Sequence, residues 1–523
     1  MKNIIQRHLV FYQLAAFLVF AVYGFFIALG SNPNFPSGLN TNSWMPHLFD
    51  KPVGEDGYYM LMVAWNLSEG KWFVGNFDQN VTGIQPLATV LFATIASIVK
   101  FFNGEKVEFI RAVLIFGTLN TIVFAYLIAR LTRKLNTHDS CAEIASFFAA
   151  VITCSSYYIY RLFTYGLETG IYLVCLVILL MQYLKVKEEY TLEKNFISKN
   201  VIFFGILVGI TGLARIDFGV LFAILIIYNV INNQALIFPL LIAGIIGAIV
   251  VSPWIIYIYF VTGTPIPSSG PAQASLVSLN VLQGRVLDMY SAFIQNFMPT
   301  IFIGGKWYTL FTATILLIGI ILMAVKRGVF KRIGGLTDWL APLLSLLPIY
   351  ITFFWATHFY ARYTAPLLVL GIPFSALSLA LFLKRMNNTK YTKVIAVGAI
   401  GSFLTFSIMS LHRGAVGNAH VVTAGYIAKF KPNEIVGAFQ SGVIGFVNTK
   451  VVNLDGKVNF KVLSHVKSGN IDSYLQENLQ IKIIIDWPGY IENFISTEYL
   501  ETNWKLCIDG SSWGSVGYCR REP

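Results

Sequence analysis

Residues 54–73 read Gly-Glu-Asp-Gly-Tyr-Tyr-Met-Leu-Met-Val-Ala-Trp-Asn-Leu-Ser-Glu-Gly-Lys-Trp-Phe, and they follow the first long apolar run of the chain, about residues 9–29. Two adjacent acids, Glu55 and Asp56, therefore stand at the edge of a hydrocarbon-sized segment. An ionised side chain costs roughly 2.5–3.5 kcal/mol at the centre of an inserted helix, so carboxylates held beside a bilayer mark a functional site unless another reason is found. The other reason available here is helix initiation, because acids favour the first turn by capping and by the macrodipole.

Composition supports the membrane reading. Of the 523 residues, 56% are hydrophobic and 12% are charged, with a mean hydropathy of +0.64, whereas a soluble domain carries about 25% charge. The run at 9–29 is too long for a signal-peptide core and is read as a retained helix. The net charge of +12 is not a nucleic-acid signature, since the Lys and Arg residues collect in short loops between apolar runs.

About eleven such runs occur, near residues 9–30, 109–130, 142–160, 168–185, 200–214, 217–232, 236–260, 307–325, 338–356, 362–383 and 394–411. A cytoplasmic N-terminus puts the basic loops at 130–134, 185–199, 326–332 and 384–393 on the inner face, in keeping with the positive-inside rule. That parity requires Pro86–Phe102 to lie in the interface or dip back without crossing. Residues 31–108 then form one outer segment of juxtamembrane helices, in which Gln85-Pro86 makes a turn. The same parity gathers Glu55, Asp56, Arg161, Glu168, Arg215, Asp217, His358 and Arg362 at outer helix ends, where pairing of Arg161 with Glu168 or of Arg215 with Asp217 is the plainer alternative to a binding role. Residues 262–306 form an outer loop with lid-like Gly, Pro and Ser content. Residues 412–523 lose the long apolar runs and read as a small extracytoplasmic α/β domain, with strands at KVVNLDG and IKIIID and a helix between them. Cys507 and Cys519 flank a Gly/Ser-rich turn, a layout that predicts a disulfide-tied hairpin in an oxidising compartment.

The pieces GEDGYYMLMVAWNLSEGKWF, FDQNVTGIQPL, GLET (166–169), GLARID (212–217), GTPIPSSG (263–270), THFYARYTAP (357–366) and VNLDGKVN (452–459) together resemble the type C glycosyltransferases. Within them the chain looks most like bacterial and archaeal protein mannosyltransferases and the lipid A aminoarabinose transferase. The resemblance implies a polytopic α-helical fold with a small C-terminal α/β domain, in the cytoplasmic membrane of a bacterium or archaeon. It implies inverting transfer of a sugar from a polyprenyl phosphate to an acceptor glycan, lipid or protein on the outer face. Glu55 and Asp56 align with the family's acidic pair, whose first member is often Asp, and either is a candidate general base. Arg362, Arg215, Arg161 and His358 are candidates for the phosphate, each with pairing or snorkelling at a membrane end as the plainer account. Tyr58, Tyr59, Lys71 and Gln85 are candidate acceptor or substrate contacts. Tyr58, Met62 and Trp65 share a helix face suited to lipid or interfacial anchoring. No metal cluster is read from the sequence and no cofactor is expected, although a divalent ion on the acidic pair is compatible with it. The competing readings are a lipid or glycolipid transporter, which places charges at mid-membrane, and a non-catalytic assembly protein of the same fold.

Overall fold

The computed structural model describes residues 2–39, 45–135, 141–193, 197–274, 279–300, 307–326, 328–329, 334–352, 361–385, 394–395, 397–402, 404–405 and 416–521. Its first helices are α1 (Lys2–Gly30), α2 (Glu55–Leu67), α3 (Pro86–Phe101), α4 (Lys106–Leu135), α5 (Ala142–Cys154), α6 (Tyr157–Thr164), α7 (Thr169–Glu193), α8 (Lys199–Ala214), α9 (Phe218–Asn232) and α10 (Ile237–Thr262). Helices Ser269–Ala274, Leu279–Phe297, Trp307–Lys326, Thr337–Thr352 and Leu368–Arg385 follow.

Among the described residues five segments are long and apolar enough to cross a membrane: Leu9–Gly30, Lys106–Leu135, Thr169–Tyr190, Gln234–Thr262 and Ala365–Lys384. The run expected as one helix at 142–160 is two, α5 and α6, bent by 63°. The break falls at Ser155-Ser156, where Ser156 leaves the helical ladder and caps α6 by accepting from the Ile159 N–H, a hydroxyl role that competes with helix continuation. Shorter apolar helices are α3, α8, α9 and Leu310–Lys326. Of the run at 394–411, residues 396, 403 and 406–411 lie outside the described residues.

Between hydrophobic helices in lipid, small residues allow the close backbone approach that holds them together. The α8–α10 pair uses this device: a Cβ on Gly209 would lie 2.4 Å from Val250, and one on Gly247 would lie 2.6 Å from Val208. The main core joins α4, α5, α7, α8, α9 and the two helices at Thr337–Thr352 and Leu368–Arg385.

Helix ends sort to two faces of this bundle. At one end Arg133 meets Glu143 (2.7 Å) and Lys187 meets Asp338 (2.6 Å). The opposite ends of α7, α8, α9, Thr337–Thr352 and Leu368–Arg385 carry Glu168, Arg215, Asp217, Tyr350 and Arg362, which all border one cavity. α3 starts at this cavity with Gln85. It ends where Lys100 reaches Glu69 (3.1 Å) and the Trp65 carbonyl (3.3 Å), beside the end of α2.

The terminal region holds a five-stranded sheet of β1 (Val436–Ala438), β2 (Val451–Asn453), β3 (Ile483–Asp486), β4 (Trp504–Gly510) and β5 (Ser515–Arg520), in the order β2-β1-β3-β5-β4. β2, β1 and β3 run parallel, and β5 and β4 are antiparallel additions. The Cys507–Cys519 bridge ties the β4–β5 hairpin at the register shift between Leu506 and Ile508. This domain is not a separate appendage, because a second core cluster runs from Leu48 and α2 through Phe109 of α4 to Val436, Phe446 and Ile483.

Candidate active site

Gly54 takes the N-cap position of α2 without a side-chain cap, and Glu55 and Asp56 occupy the first turn. The acids thus complement the helix dipole but do not cap it. The start of the helix is set by close approach to the segment after α6: the Gly54 N–H donates to the Tyr165 carbonyl (3.1 Å), and a Cβ on Gly57 would lie 2.3 Å from that same oxygen.

Adjacent helical residues diverge by about 100°, and here the two acids have separate surroundings. Both carboxylate oxygens of Glu55 accept from the Val443 N–H at 3.2 Å. Glu55 faces the terminal domain, where Gly442 is the residue that lets it in: a Cβ there would lie 2.7 Å from Glu55 Oε1. Burial pushes the Glu55 carboxyl up to about 8, with the Val443 N–H pulling it down and the charge of Asp56 adding to the rise. Glu55 does not line the cavity. Asp56 does, and Arg362 Nη2 donates to its Oδ2 at 3.0 Å.

The cavity has a volume of about 250 Å³ and is bordered by Asp56, Tyr59, Gln85, Glu168, Arg215, Asp217, Tyr350, Arg362, Tyr363 and Lys457, with Ile266, Pro267, Ser269 and Gly270 over it. Arg215 is buried and fully engaged. It donates to Asp217 twice (3.1 and 2.9 Å), to Glu168 (3.1 Å) and to the Tyr350 hydroxyl (2.7 Å). Glu168 therefore pairs with Arg215 and not with Arg161, the alternative partner, because α6 turns Arg161 outward, over the Tyr165 ring (5.5 Å). Tyr350 and Tyr363 stack with centroids 4.6 Å apart and form the wall behind this arginine.

Among the other expected site residues, Tyr59 and Gln85 line the cavity. Gln85 precedes Pro86 at the N-cap of α3 and its Oε1 accepts from the Ile216 N–H (3.4 Å). Tyr58 is buried against Phe446 of the terminal domain (5.3 Å). Met62 is buried too, so the face shared by Tyr58, Met62 and Trp65 packs on protein and not on lipid. Lys71 is exposed and paired with Glu69 (3.5 Å), away from the cavity. His358 lies outside the described residues. From the loop expected at 262–306, Ile266, Pro267, Ser269 and Gly270 border the cavity, and the Ser268 N–H donates to Thr82 Oγ1 (3.3 Å) and its hydroxyl to the Lys457 carbonyl (2.9 Å). Among the described residues no group of three His, Cys, Asp or Glu side chains is arranged to hold a metal ion; the carboxylates of the cavity are engaged by arginines.

Sequence reading missed Lys457. It sits in VNLDGKVN, a piece quoted above, but a lysine in a polar loop gives no sign of where the fold sends it.

Three solved structures were compared over nearly the whole chain. ArnT from Cupriavidus metallidurans bound to undecaprenyl phosphate matches with a TM-score of 0.54 and 11% identity, covering 97% of each chain. The same protein in the apo state gives 0.58 and 11%, again with 97% of each covered. The chain has the type C glycosyltransferase fold. An Archaeoglobus fulgidus oligosaccharyltransferase tethered to an acceptor peptide gives 0.50 and 13%, over 98% of this chain and 74% of the other. No protein-family model and no curated protein sequence matches. At such identities the likeness establishes the fold, a polytopic membrane architecture with a small terminal sheet, and leaves the chemistry to be argued from the cavity.

Proposed function

We propose that this protein is a membrane glycosyltransferase that moves a monosaccharide from a polyprenyl-phosphate carrier to an acceptor hydroxyl, on a glycan, lipid or protein, at the outer face of a bacterial or archaeal cytoplasmic membrane. The observation that carries the proposal is the Asp56–Arg362 pair (3.0 Å) at a cavity that opens among the helix ends, in a fold shared with an enzyme seen bound to undecaprenyl phosphate. Asp56 is the general base. As the acceptor oxygen attacks the anomeric carbon, its proton passes to Asp56, the new C–O bond forms with inversion, and the bond to the phosphate oxygen breaks. The lipid leaves as its phosphate. Arg362 answers the charge that builds on the leaving oxygens, since a guanidinium holds phosphate through directed N–H donors. A phosphate arriving at Arg362 competes with Asp56 for the guanidinium and leaves the carboxylate turned to the acceptor hydroxyl. Arg215, held by two carboxylates and a tyrosine, positions the cavity wall; Glu55 docks the terminal domain.

A general base contributes about 10²–10⁴ in rate. Asp56→Asn is therefore expected to lower sugar transfer by at least about a hundredfold with the unfolding temperature little changed. Mass spectrometry of surface glycans and glycoproteins, in a deletion strain complemented with wild type or with Asp56→Asn, reads the product directly. Full glycosylation by Asp56→Asn would end the assignment.

A further inference from the structure

The parallel part of the terminal sheet has a direction. β1, β2 and β3 end at Ala438, Asn453 and Asp486 on one edge, and in open α/β sheets ligands sit in the crevice beyond the carboxyl ends of the strands. Here that edge rests on α2: the Tyr59 hydroxyl donates to the Phe439 carbonyl (3.3 Å) and accepts from the Ser441 N–H (3.1 Å), both just beyond β1. The loop just beyond β2 runs on from Leu454 to Lys457, and Lys457 borders the cavity together with Asp56 and Arg362. Its ammonium pairs with Asp455 (3.0 Å), and the side chain is 19% exposed. It lies over the Tyr59 ring at 5.9 Å, and Asp56 is near enough to act on its charge.

The cations on the described wall are Arg215, Arg362 and Lys457. Arg215 is spent on Glu168, Asp217 and Tyr350, so a leaving phosphate, with close to two charges, needs more than Arg362. Lys457 is a compact ammonium on a flexible stem, held by one loop acid two residues away, and such a group can exchange that acid for phosphate oxygens.

Resting on the function proposed above, we propose that the terminal domain is a working part of the active site, and that Lys457 is its contact with the phosphate of the lipid carrier.

The test uses the full-length protein in nanodiscs with three probes: undecaprenyl phosphate, undecaprenol and inorganic phosphate. Undecaprenyl phosphate is expected to raise the unfolding temperature of the wild type and undecaprenol to leave it unchanged. Lys457→Gln is expected to weaken undecaprenyl phosphate binding by about tenfold or more, the size of one charge-assisted hydrogen bond, and Lys457→Arg to restore part of it. In a transfer assay the KM for the lipid-linked sugar should rise more than kcat falls. Asp455→Asn, which removes the competing acid, is expected to tighten binding, a change that a purely structural lysine would not produce. Wild-type affinity in Lys457→Gln, or unchanged or weaker binding in Asp455→Asn, overturns the inference and leaves the enzyme assignment standing. Stabilisation by inorganic phosphate alone, abolished in Lys457→Gln, overturns the lipid as the source of the phosphate. A wild type that neither binds the lipid phosphate nor transfers sugar overturns the function itself.

Discussion

At the scale of single residues, the acidic pair separates into two functions because successive side chains on α2 look into different compartments. Asp56 meets the cavity and Arg362; Glu55 meets the backbone of the terminal domain. The separation has a pH signature. Burial raises Glu55 to about 8 and Asp486, which accepts from the Phe439, Gln440 and Trp487 N–H groups, to about 6. A carboxyl raised in the folded state holds its proton there while the unfolded chain has released it. Its contribution to stability is complete below the unfolded value and is lost as pH rises through the folded one. For Glu55 the window runs from the ordinary range near 4.5 to about 8. His420 has the opposite sign: burial lowers it to about 3, so it costs stability as pH falls below its ordinary value of 6.5. Glu55→Gln is therefore expected to flatten the fall in unfolding temperature between about pH 6 and 8, measured by scanning fluorimetry, while retaining much of the transfer activity. Loss of activity in Glu55→Gln equal to that in Asp56→Asn, with the domain still docked, would make Glu55 the base.

At the scale of elements, the GEDG turn and the helix Gly442–Val447 work as a fitted pair. A Cβ on Gly442 would lie 2.2 Å from the Glu55 carbonyl oxygen, a backbone neighbour that cannot swing aside. Gly442→Ala is therefore expected to cost about 1–3 kcal/mol and to loosen the terminal domain, seen as faster proteolysis after residue 441, where Gly219→Ala, which meets no atom within 4 Å, should do neither. The hairpin at β4–β5 is the other element whose role is open to measurement. Its cysteines are separated by 12 residues, and closing a loop of that size is worth about 3 kcal/mol. Cys507→Ser with Cys519→Ser should lower the unfolding temperature of the terminal domain by several degrees. The two strands, the intervening helix and the cysteine hairpin were legible in the sequence because each is a local pattern: buried runs of Val and Ile, turn residues, and paired cysteines. The helix at Gly442–Val447 was not, since it has six residues and its apolar pattern serves contacts with α2, more than 370 positions away in the chain, that no local period reports. The same reason hid the true partner of Glu168. Sequence neighbours Arg161 and Glu168 are seven apart, but α6 ends in a turn through Gly166, whose φ is +81°, and the acid emerges towards Arg215.

At the scale of the whole molecule, the alternation of apolar runs with basic loops was enough to place Asp56, Arg215 and Arg362 at one rim of the helix bundle, because hydrophobic length and loop charge are long-range constraints written directly into composition. Helix ends in the structure sort the same way, with Lys187–Asp338 and Arg133–Glu143 at one face and the cavity at the other. What the pattern did not carry is the union of the two parts into one core and the delivery of Lys457 across it, which depends on the orientation of a sheet. The sidedness is the condition for the chemistry, since a base and a phosphate clamp on opposite faces of a bilayer could not meet, and it can be measured with little interference. Cys141 and Cys154 are buried, Cys175 is half-buried, and Cys507 and Cys519 are bonded to one another, so a membrane-impermeant maleimide should find little to label in the native chain. Lys71 and Lys326 are exposed, and the proposed orientation puts them on opposite sides of the membrane. Lys71→Cys is expected to react in intact cells, as is a cysteine at the exposed Glu492 of the terminal domain, while Lys326→Cys reacts only after the membrane is permeabilised. Labelling of Lys71→Cys and Lys326→Cys from the same compartment would separate the acidic turn from the face assigned to it, and the proposed transfer at the outer surface would fall with it.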